Sequence, residues 1–239
     1  MNQRVILITG ANRGLGLETA RQLAAQGHII YIGSRDARKG KMAAGTLKDH
    51  AVTSLQIDLT DPGTFPAAAS YIEGQHGRLD VLINNAGVML DEDIMADSTH
   101  NVKPGILKQS FLTNFFGTVE LTNYLLPLLM KSVAPRIVNL SSNVGSLTMH
   151  SNRAPLMKTF AYNSSKTALN AYTVHLANAY ADTPLKVNSA HPGWLKTDMG
   201  TEYAPMEVSE GVETISWLAT LPDDGPSGGF FHKQEKIDW

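Results

Sequence analysis

The chain has 239 residues, 43% of them hydrophobic and 18% charged, enough apolar material for a buried core and a length that suits one α/β domain, which excludes a disordered or fibrous protein. Twenty Lys and Arg against 22 Asp and Glu give a net charge of −2 with no dense basic run. Nucleic acid and anionic membranes are therefore excluded as expected partners, and small or neutral ones are favoured. There is no cysteine, so disulfides, thiolate metal sites and a cysteine nucleophile are excluded.

Short continuous apolar runs alternate with helix-length segments, the pattern of strands buried on both faces of a parallel sheet. The first strand is predicted from Arg4 to Thr9. Its apolar run is too short for a signal-peptide core, so a cytoplasmic location is expected. It leads into Thr9-Gly10-Ala11-Asn12-Arg13-Gly14-Leu15-Gly16 and a helix from Leu15 to Gln26, stopped by Gly27. Further strands are predicted at His28 to Gly33, Val52 to Ile57, Asp80 to Ile83, Arg136 to Leu140, Leu185 to Ala190 and Gly229 to Phe231. Asp61-Pro62 reads as the cap and first position of a helix, and long helical stretches are expected from about Pro104 to Lys131 and from Phe160 to Ala181. The apolar stretch from Tyr124 to Met130 is far below the ~20 residues of a membrane span. With no repeat or linker, residues 1–239 read as one doubly wound domain with a largely parallel, seven-stranded sheet. Its crossovers should be right-handed and its ligand site should lie past the carboxyl ends of the strands.

The glycine-rich turn between strand and helix has the chemistry of a phosphate cradle. Glycines at the tight points let the backbone approach a pyrophosphate, and the first N–H groups of the helix supply positive potential. Its Gly-x₃-Gly-x-Gly spacing departs from the commoner dinucleotide fingerprint and from the P-loop. Asn84-Asn85-Ala86-Gly87 follows the fourth strand, Ser141-Ser142 the fifth, and Tyr162 precedes Lys166 by four residues, which puts both on one helix face. A cationic Lys beside a phenol favours the ionised form, so the pair is expected to lower the Tyr162 pKa. None of the eight histidines forms a pair at metal-ligand spacing within a helix and no His-Glu-x-x-His string occurs, so no metal site is expected.

These strings, in this order, together with Pro192-Gly193, resemble the short-chain dehydrogenase/reductase family over residues 4 to 239. The resemblance implies a Rossmann-type fold and an oxidoreductase acting on a small carbonyl or alcohol substrate. It makes Tyr162 the proton donor and Ser142 the hydroxyl that binds the substrate oxygen, the second of two serines the sequence alone does not separate. Lys166 would assist Tyr162 and hold the nicotinamide ribose. Asn114, in Thr113-Asn114-Phe115-Phe116-Gly117, would support a water near the lysine, against the alternative of a buried amide satisfied by backbone.

For the cofactor, the resemblance implies binding by Gly10, Asn12, Arg13, Gly14, Leu15 and Gly16, and by Asn85, Ala86 and Gly87 as the floor. Asp58, with Leu59, follows the third strand, where it would accept from the adenine amino group or cap a helix. Pro192, Gly193 and Thr197 would face the nicotinamide, and Trp194 would either line the pocket or pack. An acidic residue at the end of the second strand would select NAD. Gly33-Ser34-Arg35 stands there instead, and Arg35 with Arg13 suits a 2′-phosphate, with Asp36 as a cap for the next helix. NADP is the expected cofactor.

Gly33-Ser34-Arg35-Asp36, Thr-Asn-Phe-Phe-Gly and Gly-Gly-Phe-Phe look most like carbonyl reductases, so NADPH-dependent, reversible reduction of a ketone or aldehyde is the expected activity. The alternatives are a non-catalytic NADP-sensing or scaffold protein, against which all four of Asn114, Ser142, Tyr162 and Lys166 stand, and a sugar-nucleotide epimerase, for which too little chain follows the sixth strand. Ser142 and Tyr162 are 20 residues apart, several more than in the compact tetrameric members of the family and far fewer than in the monomeric carbonyl reductases with a large insert there, a spacing that leaves the oligomeric state open. The segment from Asp198 to a helix starting near Pro205-Met206-Glu207 is short, so a modest substrate loop at about 194–210 is expected. Apolar residues on the long helices, including Phe115, Phe116, Leu121, Leu125, Leu128, Leu169, Tyr172 and Leu176, point to a dimer or tetramer.

Overall fold

Why the chain folds around a sheet is visible in its strands, where neighbouring apolar residues serve opposite faces. The computed structural model describes residues 3–91, 99–154 and 156–239. In chain order these residues form β1 (Val5–Thr9), α1 (Gly14–Ala25), β2 (Ile29–Ser34), α2 (Ala37–Gly45), β3 (Val52–Gln56), α3 (Phe65–His76), β4 (Val81–Asn84), α4 (Pro104–Phe111), a π-helical turn (Leu112–Phe116) and α5 (Gly117–Leu129). Then come β5 (Arg136–Leu140), α6 (Leu147–Ser151), α7 (Phe160–Ala179), β6 (Lys186–Ala190), α8 (Val208–Ala219), β7 (Phe230–His232) and β8 (Glu235–Lys236). The strands form one sheet in the order β3-β2-β1-β4-β5-β6-β7-β8, parallel except for β8. Val5 and Leu7 pack with Phe65, Ile72, Leu121 and Leu125 of α3 and α5, while Ile6 and Ile8 pack with Leu23 of α1 and Ile215 and Leu218 of α8. Each face of the sheet thus has its own apolar core, the doubly wound arrangement.

The expected strands all form, with no end moved by more than one residue, and an eighth strand corrects the expected seven. Lys233 and Gln234 take left-handed backbone (φ 47° and 67°) and turn β7 into β8, pairing Phe231 with Lys236 and His232 with Glu235. Such a two-residue turn ordinarily announces itself with Asn or Gly. Neither is present. The stretch expected as one helix from Pro104 is interrupted by the π turn, which holds one extra residue per turn at Asn114. The Asp61 carboxylate does cap, accepting from Gly63 N at 3.1 Å at the start of a 3₁₀ turn that runs into α3.

Candidate active site

At the carboxyl ends of the strands a cleft of about 580 Å³ opens. The loop from β1 to α1 forms one wall, with Gly10, Asn12, Arg13, Gly14, Leu15 and Gly16 all lining it. Gly10 (φ +63°) and Gly14 (φ +55°) take backbone that L side chains rarely adopt. Gly16 is required by space: a Cβ there would lie 2.5 Å from Asn85 Nδ2 and 2.8 Å from Ala11 Cα. Asn85 Nδ2 donates to Thr9 O at 2.8 Å and to Gly10 O at 3.3 Å, and the Ala86 N–H donates to Thr9 Oγ1 at 3.0 Å. Asn85 therefore ties the end of β4 to the glycine loop, while Ala86 and Gly87 carry the cleft floor onward. At the start of α1 there is no side-chain cap and no acidic residue in the first turn, so the helix end retains its positive potential toward the cleft.

Arg35, Asp58 and Leu59 line the far end. Arg35 is exposed, just past β2. Asp36 is occupied as the cap of α2, its carboxylate accepting from Lys39 N at 3.0 Å, and that bond holds its pKa below the usual carboxylate range. Asp58 Oδ1 accepts from the Thr60 N–H and hydroxyl at 2.9 and 2.8 Å, closing its own turn, so the helix-capping alternative belongs to Asp61 and not to Asp58. Across the cleft mouth Arg13 is ion-paired with Asp198, joining the glycine loop to the loop after β6. That loop contributes Pro192, Gly193 and Thr197 to the lining. Gly193 (φ +92°) packs where a Cβ would meet Met206 Sδ at 2.5 Å. Thr197 Oγ1 accepts from Gly200 N at 3.0 Å.

Ser142, Tyr162 and Lys166 converge at the inner end. Tyr162 and Lys166 share one face of α7, and both are buried. Lys166 Nζ donates to Leu140 O at 2.7 Å and lies 5.6 Å from the centroid of the Tyr162 ring. The expected lowering of the phenol pKa is not what this geometry produces. Burial pushes Tyr162 up to about 12, with the Ser142 hydroxyl a weaker opposing influence, and the ammonium sits over the ring instead of at the oxygen. Burial also pulls Lys166 down to about 8. A protonated phenol and a lysine that exchanges its proton near neutral pH thus stand side by side at the cleft.

Asn114 is the one expected residue that does not line the cleft. It is buried in the π turn, where Oδ1 accepts from Val88 N and Nδ2 donates to Val88 O, both at 2.8 Å, and to Ser165 Oγ at 2.9 Å. Its side chain braces the cleft floor through Val88 and ties it to α7 through Ser165. Gly87 passes in front of it: a Cβ there would lie 3.3 Å from Asn114 Oδ1 and 3.4 Å from Lys166 Nζ.

Several lining residues carry no motif in the sequence. Val88, Met89, Val144 and Met157 line the cleft, as do Trp194 and Met199 of the loop after β6. Trp194 both lines the cleft and is anchored through Nε1 to Gly200 O at 2.6 Å. His191 also lines the cleft and meets His232 with ring centroids 4.9 Å apart. Burial, then His232, holds His191 neutral, with its pKa down to about 3, and its Nδ1 accepts from Asn143 N at 3.4 Å beside Ser142. Among the described residues no group of three His, Cys, Asp or Glu could hold a metal ion. No helix among them is long and apolar enough to cross a membrane.

Residues 4–208 match the family model described as short chain dehydrogenase. The chain is 31% identical to (+)-neomenthol dehydrogenase of Capsicum annuum, over 97% of this chain and 96% of that protein. It is 32% identical to salutaridine reductase of Papaver somniferum, over 98% and 95%. The solved structure of NADPH-bound carbonyl reductase from chicken fatty liver superposes with a TM-score of 0.87 over 100% of both chains at 25% identity. With the sheet order, the glycine loop and the Ser-Tyr-Lys cleft in place, the chain belongs to the short-chain dehydrogenase family of oxidoreductases.

Proposed function

We propose that the protein is an NADPH-dependent reductase of ketones or aldehydes, reversible toward the alcohol, and that Tyr162 is its proton donor. The observation that carries this reading is the convergence of Ser142, Tyr162 and Lys166 on one cleft whose other wall is the glycine loop. The residues fit a nicotinamide dinucleotide. The first turn of α1 has no side chain of its own competing for an anion, and Gly14 leaves space where a Cβ would find nothing nearer than 3.9 Å, so a pyrophosphate would be held by the backbone of the glycine loop. Arg35 is exposed at the adenosine end while Asp36 is turned into α2, which supports a 2′-phosphate over a free 2′-hydroxyl. The NADPH-bound carbonyl reductase of the same fold supports the same choice. Arg13, engaged by Asp198, would reach a phosphate only by leaving that partner.

Bound in this cleft, the nicotinamide supplies the hydride. Ser142 donates a hydrogen bond to the substrate oxygen and fixes it beside the phenol. Tyr162, kept protonated by burial, gives its proton to that oxygen as negative charge develops on it. Lys166, protonated below about pH 8, would hold the nicotinamide ribose and supply the proton that replaces the one Tyr162 gives up. Asn114 braces the floor beside Lys166 through Val88 and Ser165. Pro192, Gly193 and Thr197, which line the cleft, would face the nicotinamide. The whole of 1–239 acts as one domain, with 194–210 as its substrate loop. The test is a panel of ketones and aldehydes with NADPH, followed by loss of its absorbance. Turnover of a carbonyl supports the reading. Tight NADPH binding with no turnover across the panel would favour a cofactor sensor.

A further inference from the structure

The N-terminus of α7 is where the catalytic geometry is anchored, because Tyr162 is only the third residue of that helix. A helix start leaves its first N–H groups without intrahelical partners, and the residue before it ordinarily caps them with a side-chain oxygen. Thr159 holds that position and does not do so: its hydroxyl donates to Asn163 Oδ1 at 2.9 Å. The acceptor comes instead from the loop that follows β4. Asp91 Oδ1 accepts from the Ala161 N–H at 3.2 Å, and Oδ2 accepts from the N–H of Tyr162 itself at 3.1 Å.

Asp91 lies on the loop leaving β4, four residues after Gly87. That loop is fixed at two other points already described, Asn85 on the glycine loop and Val88 on Asn114. The carboxylate is the third fixing point, and it joins the cleft floor directly to the backbone of the proton donor. A carboxylate at a helix N-terminus complements the helix dipole. Without it, the first turn of α7 is the segment of that helix most free to fray, and the phenol would move with it.

We infer that Asp91 is a positioning residue for Tyr162, capping the catalytic helix from the cleft floor and fixing the phenol relative to the floor. This rests on the proposed reductase reading for its kinetic consequence but not for its structural one. Nothing in the sequence motifs singles Asp91 out.

The experiment uses the full chain with Asp91→Ala, Asp91→Asn and Asp91→Glu. Two readouts are taken: amide hydrogen exchange along α7, and kcat, KM and the solvent deuterium isotope effect with NADPH and a carbonyl that the wild type reduces. In Asp91→Ala, exchange at Ala161 and Tyr162 should accelerate at least ~10-fold while Thr173 to Leu176 keep wild-type rates, as expected for local fraying. Misplacing the donor should lower kcat about 10- to 100-fold, raise the solvent isotope effect, and leave the KM for NADPH within about twofold. Asp91→Glu should recover part of kcat, and Asp91→Asn, with one acceptor oxygen, should fall between. Should Asp91→Ala not fold, the isosteric Asp91→Asn carries the same comparison. The inference is overturned by uniform acceleration along α7, by unchanged exchange at the two amides, or by local acceleration with kcat within twofold of wild type. A wild type that reduces no carbonyl would refute the reductase reading, while the exchange readout would still decide whether Asp91 caps α7.

Discussion

Replacing Gly16 by alanine tests how the glycine loop is held. The added Cβ would stand 2.5 Å from Asn85 Nδ2, 2.8 Å from Ala11 Cα and 2.9 Å from Gly10 O. Two of these are backbone atoms that cannot rotate away, and the third belongs to a side chain bonded to Thr9 O and Gly10 O. Bringing the backbone contacts to an ordinary ~3.4 Å requires the loop to retreat by roughly 0.6 Å, an overpacking cost of about 1–3 kcal/mol. For a domain of this size that lowers Tm by roughly 2–12 °C. The same retreat draws the loop amides off the pyrophosphate, and each charge-assisted bond lost costs roughly 1.5–3 kcal/mol, or about 10- to 150-fold in affinity. The assay is a melt plus NADPH titration by fluorescence. Gly74→Ala is the control: it lies inside α3 with nothing within 4 Å of its Cβ, so alanine there should stabilise by about 0.5–1 kcal/mol. A Gly16→Ala protein with wild-type Tm and an NADPH Kd within twofold of wild type would refute the packing argument.

Arg35→Asp should lower kcat/KM for NADPH roughly 10- to 150-fold through lost phosphate bonds and shift preference toward NADH, measured at fixed ionic strength; an unchanged NADPH/NADH ratio would remove Arg35 from the site. Stability should rise with pH above 8: Lys166 holds its proton to about pH 8 when folded but to 10.5 when unfolded, so the unfolded chain binds more protons across that window and the burial penalty is relieved as the lysine discharges. The gain between pH 8 and 10 should be about 2 kcal/mol by urea unfolding and absent in Lys166→Met, and a flat profile in the wild type would contradict the burial of a charged lysine. Leu112, Phe116 and Tyr124 are 43%, 56% and 48% exposed along the π turn and α5, apolar surface suited to a second copy of the chain. Light scattering should then give twice 25.9 kDa, and Phe116→Glu should return the mass to that of one chain.

The sheet and the cleft were legible because the glycine loop, Asn85-Ala86-Gly87, Ser142 and Pro192-Gly193 each follow the end of a strand, and strands buried on both faces leave an unbroken apolar signature in Val5 to Ile8 and Ile29 to Ile32. Tyr162 and Lys166 could be paired by helical spacing alone. Their ionisation could not, since it depends on burial and on where the ammonium sits: over the ring and not at the phenol oxygen, so burial raises Tyr162 with only the Ser142 hydroxyl opposing it. Of the apolar residues on the long helices, Leu121, Leu125, Leu128, Leu169 and Leu176 are buried within the chain itself, while Leu112, Phe116 and Tyr124 stay exposed, a division that depends on packing and not on residue type. Met89, Met157 and Met199 carried no message as types, because a methionine at the cleft wall looks like one in the core. Asp91 was invisible for another reason: its partners, Ala161 and Tyr162, lie 70 and 71 residues away. Residue type also failed at Lys233-Gln234, where a tight turn forms against local preference and hides β8.

The central claim is that Tyr162 delivers the proton in carbonyl reduction. Phenylalanine keeps the buried ring and removes only the hydroxyl. Single-turnover and steady-state rates of NADPH oxidation with a reducible carbonyl, in wild type and Tyr162→Phe, should show a loss of roughly 10²- to 10⁴-fold in kcat with the NADPH Kd within twofold of wild type. A variant that keeps more than half of the wild-type kcat would contradict the account.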